Sequence, residues 1–153
     1  MHFDLAAALP LLTLKAIEWA EQRAAEIAAA GEPLSDSELA VAIKVGVVAP
    51  GRIRLSLVST LPLPADPMLR QAAFQTGLLG PNMIGLTLGH GIYICNGHKS
   101  VALLSHEFRH VYQYEQAGSI AAYLPDYLLQ IVKYGYSSAP YEIDARTHEI
   151  HND

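Results

Sequence analysis

The chain of 153 residues has the length of one ordinary domain, enough to bury a core without disulfides or a structural metal. Hydrophobic residues make up 51% and charged residues only 16%, a balance that excludes a largely disordered chain. The formal net charge of -5, with Lys and Arg scattered and never in runs, excludes nucleic acid as the main partner.

An apolar run extends from Leu5 to Leu14, but Asp4 stands where a signal peptide would carry basic residues, and no small-residue cleavage site follows. The run is also too short to span a bilayer. With Cys95 as the single cysteine there is no internal disulfide, and the expectation is a soluble, cytoplasmic protein without a membrane partner.

Pro10 reads as the first residue of a helix running to about Ala30, with Gly31 as its stop signal. Ser35 and Glu38 have capping-box spacing ahead of LAVAIKV, which predicts a shorter second helix. These form an N-terminal helical part, residues 1–48, of a single domain that continues through residues 49–153. RIRLSLVS, from Arg52, is rich in branched residues and alternates in part, so it reads as a strand. Asp66 as cap and Pro67 in the first turn then launch a helix to about Leu79.

The segment IGLTLGHGIYICNGHKS predicts two short strands, roughly 84–88 and 91–95, with Asn96-Gly97 as a turn and Cys95 as a small buried apolar residue. Ser100 caps a helix that carries VALLSHEFRHVYQYEQA and stops at Gly118. Further helices are expected over Leu124 to Tyr134 and from Pro140 through YEIDARTHEI. The fold class is α+β: a small sheet of about three strands packed against several helices, with the histidine-rich helix central.

On that helix His106 and His110 are four apart, an advance of about 400°, so both imidazoles project from one side, a turn apart. Two imidazoles placed so can reach one metal at about 2.0–2.1 Å. Glu107, offset by about 100°, is then free to take a proton from a metal-bound water instead of serving as a ligand. Catalytic zinc usually takes three protein ligands and leaves a position for water. The metzincin pattern is excluded, because Gln113 and Gln116 stand where it requires Gly and His. Candidates downstream are Glu115, Asp126, Glu142, Asp144, His148, Glu149 and His151. Glu115 is too near on the same helix and on a different side. Glu142 lies far enough along for the chain to return it to the metal. Asp144 is about 200° from Glu142 on their helix, so only one of the two faces inward.

HEFRHVYQ together with YEIDA resembles the gluzincin-type zinc metallopeptidases, in particular small bacterial domains, minimal zincins with an HExxHxxQ motif and a later E-x-x-A segment. The likeness covers about residues 50–150, and TLGHGIYIC resembles the edge strand against which those domains align a peptide. The resemblance implies a zincin-like fold, Zn2+ on His106, His110 and Glu142, Glu107 as the catalytic base that activates a zinc-bound water, and a peptide or protein as substrate. Where many relatives have Asp one residue after the alanine, this chain has Arg146. That departure motivates an alternative, a zinc-binding but inactive peptidase-like module that binds a peptide or protein partner.

Gln113, a turn beyond His110, is expected either to hydrogen-bond near the metal or to face water, and His90 either to meet substrate or to lie exposed in a turn. His2, His98, His148 and His151 read as solvated. Tyr112, Tyr114, Tyr123, Tyr127, Tyr134, Tyr136 and Tyr141 offer hydroxyl donors for an oxyanion, and no spacing selects one.

Overall fold

The computed structural model describes residues 4–80 and 82–151, so His2 lies outside the described residues. The first helix, α1 (Leu5–Ala30), starts a turn earlier than Pro10 predicts. Asp4 caps it, its carboxylate accepting from the Ala7 N–H at 3.2 Å. Pro10 lies inside the helix, where it removes one backbone hydrogen bond. Packing overrides that loss: Leu5, Ala8 and Leu12 lie against Leu69 and Ala72, so the early turns are held from outside.

A short strand, β1 (Glu32–Pro33), follows α1, and then α2 (Asp36–Lys44) with the expected capping box. Next come a single 3-10 turn over Pro50–Arg52 and strand β2 (Arg54–Val58), which thus begins after Arg52. Helix α3 (Pro67–Thr76) stops short of Leu79, because Gly77 takes the left-handed conformation with φ 79° and closes it. Strands β3 (Gly85–Leu88) and β4 (Gly91–Cys95) match the sequence expectation closely, and so does α4 (Val101–Ala117) with its Gly118 stop. Helix α5 (Ile120–Tyr134) begins earlier than expected, capped by Ser119, and carries Pro125 within it. Helix α6 (Pro140–Thr147) completes the order.

The described residues thus form an α+β fold of six α-helices and a four-stranded mixed sheet, one strand more than expected. Strand order is β1-β2-β4-β3, with β2 and β4 parallel and the other pairs antiparallel. The extra strand is two residues long, exposed and half proline, which leaves no periodicity for a sequence to display. Among the described residues no helix is long and apolar enough to cross a membrane.

Central β4 is buried along its whole length and separates two cores. Ile92 and Ile94 point with Ile53 and Leu55 toward Leu104, Phe108 and Val111 of α4. Tyr93 and Cys95 point the other way, toward α1 and α5. Cys95 is accordingly a small buried residue of the second core. Register sets what edge strand β3 shows to α4. Gly85 and Thr87 pair with Ile94 and Ile92, so they share the α4 face, while Leu86 and Leu88 turn to the opposite side.

Candidate metal centre

Helix α4 presents His106 and His110 on one side, as their spacing requires, and α6 returns Glu142 against them. The Glu142 carboxylate is 2% exposed, its Oε1 3.3 Å from His106 Nε2 and its Oε2 3.1 Å from His110 Nε2. One ligand atom from each of the three lies within 4.8 Å of the others, so the cluster could hold a metal ion. Of the two residues left open on α6, Glu142 faces inward and Asp144 does not.

The outer nitrogens of both imidazoles are already engaged. His106 Nδ1 is 2.8 Å from Glu149 Oε2, and His110 Nδ1 is 2.8 Å from Gln113 Oε1. A carboxylate only accepts, so His106 Nδ1 carries the proton. For His110 the Gln113 amide decides. Its nitrogen donates to Tyr141 O and to Asp144 Oδ2, each at 2.9 Å, two acceptors that fix which end is NH2. Its oxygen therefore faces His110 and accepts from Nδ1–H, and it also takes the Tyr123 hydroxyl at 2.7 Å. Neutral imidazoles in these tautomers direct both Nε2 lone pairs at the Glu142 carboxylate. Lone pairs facing a carboxylate repel unless a cation sits between them. Consistently, buried Glu142 Oε1 has no hydrogen-bond partner, whereas Oε2 accepts the Tyr127 hydroxyl at 2.7 Å. An orphaned buried oxygen beside two inward lone pairs fits a divalent ion.

Without an ion, protons take its place. Burial alone would lower the His106 pKa, but the Glu142 carboxylate, then Glu107 and Glu149, outweigh it and raise it to about 9. His110 is raised as well, against its own burial and again by Glu142. Burial would raise Glu142, yet the two histidines hold its carboxyl well below the ordinary range.

Glu107 is 5% exposed and lies against β3. Thr87 Oγ1 donates to its Oε1 at 2.7 Å, and its Oε2 is 4.0 Å from His106 Nε2. Gly85 makes the room: a Cβ built there would come within 3.1 Å of Glu107 Oε2. Gly85→Ala is accordingly expected to destabilise the fold by about 1–3 kcal/mol in urea denaturation, as overpacking forces the carboxylate to shift.

The remaining expectations sort by contact. Gln113 is buried and holds His110, so the solvated reading of it is corrected. Asp144 is drawn outward because it pairs with Arg109 at 2.8 Å as well as with Gln113. Arg109 in turn donates to Val45 O at 2.8 Å. Glu115 accepts the Val48 and Ala49 N–H groups at 2.7 and 2.9 Å and lies 2.9 Å from His90 Nε2, which takes both His90 and Glu115 out of the site. Asp126, His98 and His151 are exposed. Half-buried His148 has its Nδ1 2.8 Å from Asp144 O, and is not solvated as expected. Tyr123 and Tyr127 touch the site, a role that a cluster of seven tyrosines does not single out in sequence. Glu149 stood among the candidate ligands, and its contact is with the far side of His106.

Gln113→Ala is expected to weaken divalent-ion binding about 10–100-fold, read by competition with a chromophoric chelator, because His110 loses the acceptor that fixes its tautomer. Comparison of the chain with protein-family models, with curated proteins and with solved structures gives no match.

Proposed function

We propose that the protein is a zinc-dependent hydrolase, and that among hydrolases it is a metallopeptidase of the gluzincin type. His106, His110 and Glu142 would hold the ion and Glu107 would act as the base. The observation that carries this reading is the convergence of two Nε2 lone pairs and the unpartnered Glu142 Oε1, with both Nδ1 atoms already satisfied. Two imidazoles and a carboxylate are a donor set suited to zinc.

A zinc ion there would supply a Lewis acid for a carbonyl and a bound water with pKa near 7. Glu107 is set to receive the proton of the attacking water, because Thr87 occupies Oε1 and leaves Oε2 turned to the cluster. Burial of Glu107 and Glu142 keeps bulk water away from both carboxylates. Neutral tyrosine hydroxyls surround them: burial, then the charges of Glu107 and Glu142, push the Tyr114 hydroxyl far up in pKa, and burial and Glu142 do the same at Tyr127.

A peptide substrate is supported by β3, which has a strand neighbour on one side only. In the antiparallel pair with β4, Leu86 and Leu88 spend their backbone groups inward, so Gly85 and Thr87, both buried, direct theirs to the edge that no strand pairs. Thr87 O accepts the Tyr114 hydroxyl at 3.2 Å, and Gly85, itself buried beside Glu107, borders a cleft shared with His106 and Tyr136 that an extended chain would have to enter. The alternative of an inactive binding module draws on Arg146. That residue is exposed and donates to Ser137 O, while Glu149 and Gln113 support the imidazoles, so position 146 takes no part in holding them. Metal analysis of the purified protein, paired with digestion of a mixed peptide library, tests the proposal. Purified protein that retains no zinc, or zinc-loaded protein that leaves the library intact, would sink it.

A further inference from the structure

Away from the metal cluster, the β3–β4 turn, the 3-10 turn before β2 and the C-terminal end of α4 border an open groove of about 910 Å3. None of His106, His110 and Glu142 lines it, and Glu115 lies about 14 Å along α4 from His106 at 1.5 Å per residue. Although the chain has a net charge of -5, Arg52, Arg54 and His90 line the groove, and Glu115 is the one acid among the described residues that does. Both Glu115 oxygens are engaged. Oε1 accepts the Val48 N–H at 2.7 Å, and Oε2 accepts the Ala49 N–H at 2.9 Å and lies 2.9 Å from His90 Nε2. A carboxylate only accepts, so His90 Nε2 carries the proton and Glu115 holds the ring in place.

Arg54 is held in a defined orientation. Its Nη1 donates to Gly51 O at 2.9 Å and to Ile53 O at 2.8 Å, while Nε and Nη2 have no partner among the described residues. Those two nitrogens form the planar fork that matches two oxygens of a carboxylate or phosphate. Arg109 shows the fork in use. Its Nη1 likewise donates to a backbone carbonyl, Val45 O, while Nε and Nη2 hold the two oxygens of Asp144 at 2.8 and 3.3 Å. Among the described residues no acidic side chain meets the same edge of Arg54.

We propose that Arg54, with Arg52 on the same groove, forms a second binding site, for a small molecule that carries a carboxylate or a phosphate. Two oxygens of the anion seat on Nε and Nη2 of Arg54, as those of Asp144 do on Arg109. Exposed Arg52 makes no side-chain hydrogen bond among the described residues and adds charge. Ala24, Ala25 and Ala28 of α1 also line the groove and are too small to fill it, which leaves room for the body that bears the anion.

Titration of the isotope-labelled full chain with inorganic phosphate, phenyl phosphate, benzoate and benzylamine, followed by heteronuclear NMR, tests this. The anions are expected to shift the Arg54 Nε–H and the Gly51 and Gly89 amides, and benzylamine to shift none of them. The tighter binder of phenyl phosphate and benzoate names the anion. Arg54→Lys keeps the charge without the fork and is expected to weaken binding about 10–100-fold. Arg52→Gln, at an exposed position, is expected to weaken it about two- to fivefold, which preserves the test if the Lys variant folds poorly. Anions that shift nothing at Arg54, or that shift only resonances around His106 and His110, overturn the assignment. Parent and both variants binding the anions alike overturn it too, in favour of diffuse attraction to the surface.

Discussion

Glu107→Gln is expected, on the proposed metallopeptidase reading, to lose hydrolysis by about 10²–10⁴-fold while zinc binding and thermal melting stay at parent values. The amide keeps the shape and can still accept from Thr87 Oγ1 at Oε1, so the 2.7 Å contact and the packing against Gly85 survive. What disappears is the basic oxygen turned toward His106, 4.0 Å from Nε2. Zinc analysis separates this result from collapse of the site. A Glu107→Gln protein that retains zinc and still cleaves the peptide library at the parent rate excludes Glu107 as the base.

The ion-free protein is expected to show a stability that depends on pH in a way that loading with zinc reverses. In the ion-free protein His106 titrates at about 9, above its ordinary 6.5. Its protonated form is therefore favoured by folding, and that stabilisation is complete below pH 6.5 and lost as pH climbs to about 9. The shift corresponds to something on the order of 3 kcal/mol, shared within a tightly coupled buried triad. Glu142 acts in the opposite sense: its lowered pKa stabilises the fold above the ordinary 4.5 and ceases to do so as pH falls below it. The ion-free protein is thus expected to be most stable between roughly pH 4.5 and 6.5, as far as these groups decide it. Metal ligands must be deprotonated, so binding strengthens as pH rises. An ion at about a thousandfold above its dissociation constant adds about 4 kcal/mol to the folded state. Melting curves with chelator and with zinc are expected to separate progressively from pH 6.5 to 9, and curves that remain parallel count against an ion between the histidines and Glu142.

The legible parts of this chain are those where local chemistry and tertiary packing agree. Ser100 and Gly118 bound α4 as they stand in sequence, and the spacing of His106 and His110 needs only the pitch of a helix to bring them together. The boundaries that moved are ones where distant contacts outvoted a local signal. Pro10 and Pro125 each look like a helix start or break, yet lie within helices that cores on other elements hold. Strand β1 was invisible because its pairing with Arg54 and Leu55 lies wholly in another segment. Within the site, Glu142 and Asp144 could be separated only to the extent that one must face inward. Which one does depends on Arg109 and Gln113 capturing Asp144 from α4, an arrangement that spans 31 to 35 residues. No local pattern reports it.

The Gln113 amide has a consequence for when the site comes into being during synthesis. The two histidines leave the ribosome well before their supports: Glu149 follows His106 by 43 residues, and Asp144 follows Gln113 by 31. Until α6 docks, either nitrogen of each imidazole is free to carry the proton, and Glu142 is absent from the cluster. The nascent HEFRH segment is thus expected to bind a divalent ion weakly, and capture of an ion by the complete cluster is expected to follow the docking of α6. A pulse of zinc given to chains arrested before residue 142 should wash away, while the same pulse given after release should persist.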